Sequence, residues 1–193
     1  LVEKIERPMT SYVYEGDKSF SLEHIRQEYP VYGTTDYRHS AIEILQKNGS
    51  RISDFKYNGY EIVPGKPKLQ GLPAIYAESE EEAMTLRIFL KDSLTGVVVE
   101  LLYTIFSEYG AIARSVRIKN TGEMPVHLLT AMSLNLDLPD KDYVWMQLSG
   151  AWARERHVKM RTLEQGITAI DSMRGNSSHE QNPFMVLKRK NTD

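Results

Sequence analysis

Residues 84–105 read MTLRIFLKDSLTGVVVELLYTI and contain two rows in which apolar side chains recur at every second position. The first row runs over Met84–Leu90 and the second over Val97–Ile105, with the turn-forming pair Thr95-Gly96 between them. A period of two is typical of a β-strand that buries one of its faces. The segment therefore predicts two strands joined by a short turn.

The same alternation recurs along the rest of the chain, at Ile112–Ile118, Val126–Leu134 and Trp152–Met160. Asn48-Gly49, the strongest short-range signal for a hairpin, separates the strand-like segments 41–46 and 51–60. Strands that recur every ~10–15 residues with turn signals between them favour a sandwich. The sequence thus predicts an all-β fold of antiparallel sheets with little helix.

Composition excludes several classes of function. The 193 residues include 24 basic and 26 acidic side chains, for a net charge of −2, so the basic surface of a nucleic-acid-binding protein is not expected. No apolar run approaches the ~18 residues of a membrane span. The absence of cysteine excludes disulfides and suits a cytoplasmic protein. The chain does not begin with Met, and its last residues, up to Asp193, directly follow an apolar run. We therefore expect it to be a piece of a longer protein.

The segment 29–39, YPVYGTTDYRH, is unusual for plain β structure because it combines three tyrosines with an acid, a guanidinium and an imidazole. Carboxylates and guanidinium groups hydrogen-bond sugar hydroxyls, and aromatic rings cover the apolar side of a sugar. Asp36 and Arg38 are therefore candidate sugar-binding residues. The alternative is an Asp36–Arg38 pair that only shapes its own loop.

Two later segments suit a docking surface. Side chains alternate along a strand, so Trp152, Arg154 and Arg156 are expected on one face, where the guanidinium groups can pair with acids of another domain. The segment 172–184, SMRGNSSHEQNPF, is dense in short hydrogen-bonding side chains. A solvated sheet face and a self-contained loop are the respective alternatives.

Metal, cofactor and nucleophile motifs are not found in the sequence. The five histidines do not lie two or four residues from one another, and neither a phosphate-binding glycine loop nor a Gly-x-Ser-x-Gly elbow occurs. We therefore expect no metal, no cofactor and no catalytic residue in this chain.

Four segments, in order along the chain, resemble one known family. YGTTDYR at 32–38 resembles the tyrosine–glycine–x–x–aspartate–aromatic–arginine signature of glycoside hydrolase family 36. The segment 174–184 is similar to a second signature of that family. Lys66-Pro67 with Gly71–Ala74, and GAWARE at 150–155, also fit its pattern.

This resemblance implies a β-supersandwich like that of galactose mutarotase, formed by two antiparallel sheets. In the family it precedes a catalytic (β/α)8 barrel and a small C-terminal sandwich. The chain would then be a single N-terminal domain, 1–193, truncated before the barrel. The family removes terminal α-galactose from sugars such as melibiose and raffinose by a retaining mechanism with two barrel aspartates. This chain alone is expected to be inactive.

The resemblance also implies partners and site residues. Family tetramers place the N-terminal domain beside a neighbour's active site, so Asp36 is expected to reach a galactose hydroxyl, with Arg38 as a second substrate-binding residue. The domain's own barrel is expected to cover a surface bordered by Trp152, Arg154, Arg174, His179 and Phe184. Nucleic acid and membrane are not expected partners.

Two other functions stay open at this point. A stand-alone carbohydrate-binding module would bind sugar without a barrel. An aldose-epimerase-like enzyme needs an acid and a base across the sugar ring, usually His and Glu. Glu155 and His157 are the nearest such pair, and both lie on one predicted strand.

Overall fold

A computed structural model describes residues 25–33, 36–71, 74–140, 142–174 and 178–191. These residues form nine strands and two short 3₁₀ turns, so the predicted all-β class is confirmed. No helix in the described ranges is long and apolar enough to cross a membrane. The chain divides into two compact units, Leu1–Asp137 (unit 1) and Leu138–Asp193 (unit 2).

Unit 1 contains β1 (Ile42–Leu45), β2 (Phe55–Pro64), β3 (Met84–Asp92), β4 (Val97–Phe106), β5 (Ala111–Asn120) and β6 (His127–Ala131). Strands β2 to β5 form a four-stranded antiparallel sheet in chain order, and β1 pairs with β6 in a second antiparallel sheet. Unit 2 contains β7 (Tyr143–Ala151), β8 (Arg154–Thr162) and β9 (Gln181–Arg189). They form an antiparallel sheet in the order β8-β7-β9.

The hydrophobic core of unit 1 lies between β4 and β1. Val99 and Leu101 of β4 are buried together with Ile42 and Ile44 of β1, and neighbouring side chains of β3 and β5 pack against them. Each of these side chains contributes roughly 1.5–3 kcal/mol when fully buried. The alternating apolar side chains that predicted β4 are therefore the ones that pack the four-stranded sheet against the β1–β6 sheet.

The opposite face of β4 is also buried, although it carries polar groups. Glu100 is 3% exposed, and its carboxylate accepts a hydrogen bond from Arg87 at 2.6 Å and lies 3.6 Å from Arg117. The segment after β2 contacts this face, since Thr85 Oγ1 donates to Gly65 O at 2.7 Å and Arg117 Nη2 donates to Lys68 O at 3.0 Å. Buried charges need such partners to offset the loss of hydration.

The turn between β3 and β4 forms as the sequence predicts. Gly96 has φ +74°, and its N–H donates to Asp92 O at 2.9 Å. A Cβ added at Gly96 would lie 2.7 Å from Gly122 Cα, so both the backbone angle and the space favour glycine. Asp92 Oδ1 closes the turn by accepting the N–H of Leu94 at 2.9 Å.

The hairpin predicted at Asn48-Gly49 is wrong. A tight turn does form there, with Gly49 N donating to Gln46 O at 2.9 Å. The flanking strands diverge after it, because β1 pairs with β6 whereas β2 pairs with β3. The local turn signal was correct, and the partner of each strand was decided by contacts distant in sequence.

We expect Leu101→Ala to destabilise unit 1 by about 2–5 kcal/mol, because Leu101 is 1% exposed and its truncation leaves a cavity. Urea unfolding followed by far-ultraviolet circular dichroism measures the change. Leu94→Ala, at a 79% exposed position, is the matched control and should change the free energy of unfolding by less than about 0.5 kcal/mol. Equal effects of the two substitutions would contradict this account of the core.

Candidate functional site

The segment that carries Asp36 and Arg38 leads into β1 and is fastened at its base. Ala41 N donates to Pro30 O at 2.8 Å, and Met132 N donates to Ala41 O at 2.8 Å. These backbone bonds tie the two ends of the segment to each other and to the residue after β6. The segment is therefore held by the rigid part of unit 1.

Asp36 is buried and bound to Arg38. Its side chain is 1% exposed, and Oδ1 accepts hydrogen bonds from Arg38 Nε at 2.7 Å and from the Arg38 backbone N–H at 3.2 Å. A carboxylate removed from water requires a cation or several donors to remain ionised. The ion pair that the sequence left as an alternative is present, and it shapes the loop.

Arg38 binds more than Asp36. Its Nη1 donates to Asp137 Oδ2, and its Nη2 donates to Ile25 O at 2.6 Å. Burial lowers the pKa of the Arg38 guanidinium, but the hydrogen bonds and charges of Asp36 and Asp137 outweigh that effect and raise the pKa above its ordinary value. The guanidinium is therefore a permanent charge whose orientation is set by contacts that include Asp36, Asp137 and the Ile25 carbonyl.

The second oxygen of Asp36 differs from the first. Oδ2 is buried and has no hydrogen-bond partner among the described residues. An ionised carboxylate only accepts hydrogen bonds, so this oxygen can bind a hydroxyl or another donor. Thr34 and Thr35, which belong to the same motif, lie outside the described residues.

The three tyrosines of the motif have different environments. Tyr29 is 7% exposed, and its hydroxyl donates to Met132 O at 2.9 Å, which makes it a core residue. Tyr32 is 41% exposed and has the Arg51 guanidinium 4.5 Å from its ring centre. Tyr37 is 80% exposed. Only Tyr32 and Tyr37 therefore offer ring surface beside Asp36.

In unit 2 four of the five predicted docking residues are exposed, but Trp152, Arg154 and Arg156 do not share one strand face. Trp152 lies in the turn between β7 and β8 and is 81% exposed, and Arg154 begins β8. Arg156 has φ +57°, and the pairing of β7 with β8 shifts register between Ser149 and Ala151. The predicted alternation from Trp152 through Arg156 is therefore wrong, because a bulge interrupts it.

The segment before β9 contributes three of the predicted residues. Arg174 forms a two-point pair with Glu180, at 3.1 Å from Nε and 2.5 Å from Nη2. Phe184 is 47% exposed, and His179 is partly buried. Gly175, Asn176 and Ser177 lie outside the described residues.

The pair considered for epimerase chemistry is not assembled into a site. Glu155 Oε1 accepts the backbone N–H of Ala153 at 2.8 Å and closes the β7–β8 turn. His157 lines a shallow cavity of about 240 Å³ that Glu155 does not line. In the described part of the chain, no group of three or more His, Asp or Glu side chains is placed to hold a metal ion.

Comparison with known proteins identifies the family. The family described as "Glycosyl hydrolase family 36 N-terminal domain" matches residues 3–193. The chain belongs to this family. The family resemblance read from the motifs is therefore confirmed.

Individual relatives of this family 36 domain are α-galactosidases. The chain is 45% identical over 190 residues to the α-galactosidase AgaA of Geobacillus stearothermophilus, and superposes on its crystal structure with a TM-score of 0.90 over 98% of the chain. It is 42% identical over 176 residues, 91% of the chain, to the bifunctional α-galactosidase/sucrose kinase AgaSK of Mediterraneibacter gnavus. The chain spans 26% of AgaA and 19% of AgaSK.

The matches to solved structures distinguish the α-galactosidase interpretation from the two other functions that the sequence left open. A variant of AgaA has been crystallised with stachyose, and this family 36 domain superposes on it with a TM-score of 0.90 at 44% identity, covering 99% of the chain and 27% of that structure. The likeness to α-galactosidases supports the interpretation as their N-terminal domain over a stand-alone sugar-binding module or an epimerase.

One residue of the Asp36 cluster, Asp137, was not predicted from the sequence as a site residue. Asp137 lies 99 residues from Arg38 and belongs to no motif. It lies after β6 in the segment MSLNLDL (132–138), where polar residues alternate with apolar ones, and this pattern does not mark it as a site residue. Contacts between such distant residues are visible only once the strands are paired.

A second polar cluster lies on the core side of the four-stranded sheet. The Tyr103 hydroxyl donates to Glu28 Oε1, and the Arg114 guanidinium lies 4.0 Å from the Tyr103 ring centre with its side chain 6% exposed. Burial, followed by the hydrogen bond to Glu28, raises the pKa of Tyr103 although Arg114 acts in the opposite direction. Tyr103 is thus held in its neutral form.

Because the folded-state pKa of Tyr103 is raised, its contribution to stability is complete below the ordinary value of ~10 and is lost as pH rises above it. We expect the native chain to lose more unfolding free energy between pH ~9 and ~11 than Tyr103→Phe does. Urea titrations at the two pH values measure the difference. Tyr37→Phe, which changes an exposed ring, is the control and should lose as much unfolding free energy between the two pH values as the unsubstituted chain does. Equal losses in the unsubstituted chain and in Tyr103→Phe would contradict the raised pKa of Tyr103.

Proposed function

We propose that this family 36 domain is the N-terminal part of an α-galactosidase that hydrolyses terminal α-galactosides, such as melibiose and raffinose, with retention of configuration. The observation that carries the proposal is the 45% identity and TM-score of 0.90 to AgaA over 98% of the chain. Retaining hydrolysis uses two carboxyl groups about 5–5.5 Å apart, one as nucleophile and one as acid/base. In this proposal both belong to the barrel, and the present domain supports the barrel and completes the substrate pocket.

Asp36 is the residue through which the domain reaches substrate, and its two oxygens have separate tasks. Oδ1 is occupied by Arg38, which fixes the carboxylate in place. Oδ2 lacks a partner among the described residues and accepts the hydrogen bond of a galactose hydroxyl. Arg38 holds Asp36 in this arrangement through its Nε, while its Nη1 and Nη2 donate to Asp137 and to the Ile25 carbonyl.

The burial of Asp36 defines what this role requires. With a side chain that is 1% exposed, the carboxylate cannot be reached from solvent by a sugar in the arrangement described here. The substrate contact therefore requires the surrounding loop to open or rearrange when the barrel of the same or a neighbouring subunit is in place. A tetramer in which the domain lies beside a neighbour's active site provides that setting.

Unit 2 supplies the surface that faces the barrel. Trp152, Arg154, Arg174, His179 and Phe184 border this surface, and Trp152 and Phe184 are 81% and 47% exposed in the chain. Exposed aromatic side chains beside guanidinium groups are typical of interface centres. In this proposal the covering partner is the catalytic barrel of the same enzyme. A cytoplasmic location stays a prediction of the sequence.

We expect Asp36→Ala in the full-length enzyme to lower kcat/KM for an α-galactoside about tenfold to a hundredfold, because a hydrogen bond to a charged partner contributes about 1.5–3 kcal/mol. Loss of a covalent nucleophile would cost far more. Steady-state kinetics with a nitrophenyl α-galactoside measure the effect. The 193-residue chain assayed alone should give no turnover above background.

The alternative role of Asp36 makes a different prediction for the same variants. If the carboxylate only shapes its loop, Asp36→Ala and Arg38→Ala lower the melting temperature together and leave the kinetic constants of the folded enzyme unchanged. Melting curves recorded beside the kinetics separate the two. Unchanged kcat/KM for folded Asp36→Ala would remove this residue from the active site.

We expect Trp152→Ala to destabilise the full-length enzyme by about 1–4 kcal/mol while leaving the isolated chain nearly unchanged, since an interface aromatic contributes only when covered. Thermal unfolding of both proteins provides the comparison. Ile167→Ala, at a 77% exposed position outside the proposed surface, should be neutral in both. A Trp152→Ala effect of equal size in the isolated chain would argue for a role within unit 2 instead.

A further inference from the structure

A bulge in β8 brings three basic side chains to one face of the sheet in unit 2. Arg154, His157 and Lys159 lie opposite every second residue of β7, from Ala151 to Gln147. Every second residue of a strand faces the same way, so the three basic side chains share a face. Arg154 and His157 are three positions apart because the bulge inserts one residue into β8. The insertion therefore moves Arg154 to the face of His157 and Lys159.

The backbone around the bulge has a conformation that most side chains disfavour. Arg156 has φ +57°, and Ala153 in the preceding turn has φ +61°. A Cβ added at Gly150 would collide with Arg154 O, so the close approach of β7 and β8 at the bulge requires glycine. Positive φ values at residues other than glycine occur preferentially at binding sites, and bulges often redirect a side chain toward such a site.

A small cavity opens beside the three basic side chains. Its volume is about 240 Å³, and it is lined by Arg154, His157 and Lys159 of β8 together with residues 149–151 of β7. The three basic side chains are exposed, so solvent reaches the cavity directly. No carboxylate lines it. The cavity is therefore a concentration of basic groups with room for a small ligand, since pockets for larger ligands measure about 300–1,000 Å³.

These basic side chains differ from other arginines of unit 2 because they lack an acidic partner. Arg174 pairs with Glu180 at 2.5 Å, and Arg189 pairs with Asp140 at 2.5 Å. The three basic side chains of the cavity form no hydrogen bond or ion pair with any residue in the part of the chain that the structure describes. Glu155, the acidic residue of β8, accepts a backbone N–H of the preceding turn instead. Their donors are therefore available to a ligand.

The donors around the cavity match the acceptors of a phosphate group. The Arg154 guanidinium can bind two phosphate oxygens, and the Lys159 ammonium adds a point charge. The His157 imidazole and the Ser149 hydroxyl can each donate one further hydrogen bond. A phosphate group presents at least three strongly accepting oxygens in different directions, whereas a carboxylate presents two in one plane. The set of donors therefore favours a tetrahedral oxyanion over a carboxylate.

We propose that this cavity of unit 2 binds a tetrahedral oxyanion of the phosphate class from solution. The barrel proposed to cover unit 2 is not its occupant, because Val158 and Met160, the exposed apolar residues of β8, alternate with His157 and Lys159 and lie on the opposite face. The inference does not depend on the proposed substrate contact of Asp36. It adds an anion site that is separate from the galactoside site.

The test is equilibrium dialysis of the full-length enzyme against radiolabelled inorganic phosphate, in chloride buffers of constant ionic strength. The double variant His157→Gln/Lys159→Gln should lack this site, and Lys159→Gln alone should weaken phosphate binding about threefold to tenfold, because an exposed charge-assisted contact is lost. Arg154 is left unchanged, since it also borders the proposed barrel surface. Dialysis measures binding and not turnover, so its result is independent of the proposed galactosidase activity.

Controls make each outcome decisive. Lys190→Gln changes an exposed lysine that does not line the cavity, and it should bind as much phosphate as the unsubstituted enzyme does. Sulfate should displace the phosphate, and acetate should displace much less of it. Equal binding by the unsubstituted enzyme and the double variant would refute the site, and displacement by acetate as strong as that by sulfate would refute the preference for a tetrahedral anion. If the double variant does not fold, either single variant gives the same comparison.

Discussion

Strand β4 is buried on both faces, and the structure of unit 1 follows from that constraint. One face presents Val99 and Leu101 to β1, and the other presents Glu100 to the guanidinium groups of Arg87 and Arg117. A strand in this position needs neighbours on both edges to satisfy its backbone and a covering layer on each side. Strands β3 and β5 pair with the two edges of β4, β1 packs on its apolar face, and the segment after β2 contacts its polar face.

The same electrostatic requirement governs the candidate site. Removing a carboxylate from water is costly unless a cation and hydrogen bonds replace the lost hydration. Asp36 meets this requirement through Arg38, and Arg38 is balanced in turn by Asp137 and Ile25 O. The cluster joins the beginning and the end of unit 1, so the position of one candidate substrate-binding oxygen depends on the folding of the whole unit.

Unit 2 is organised differently, because its sheet leaves much of its surface uncovered. Every residue of β8 is exposed, including Val158 at 59% and Met160 at 54%. Exposed apolar side chains on an edge strand favour association with another surface. Unit 1 buries a substantial core, and the chain spans only 26% of AgaA. The exposed apolar side chains of β8 support the proposal that unit 2 is covered by the catalytic barrel in a longer protein.

The sequence by itself determined the all-β class, most strand positions and the turn at Gly96, because alternation and turn chemistry are local properties of consecutive residues. It also indicated the Asp36–Arg38 pair, whose members are two residues apart. Only the tertiary structure decided that β1 pairs with β6 instead of forming a hairpin at Asn48-Gly49, that Trp152 lies in the turn before β8, and that Asp137 reaches Arg38. Strand pairing, register shifts and contacts across 99 residues depend on which surfaces bury one another, and no local pattern encodes that choice.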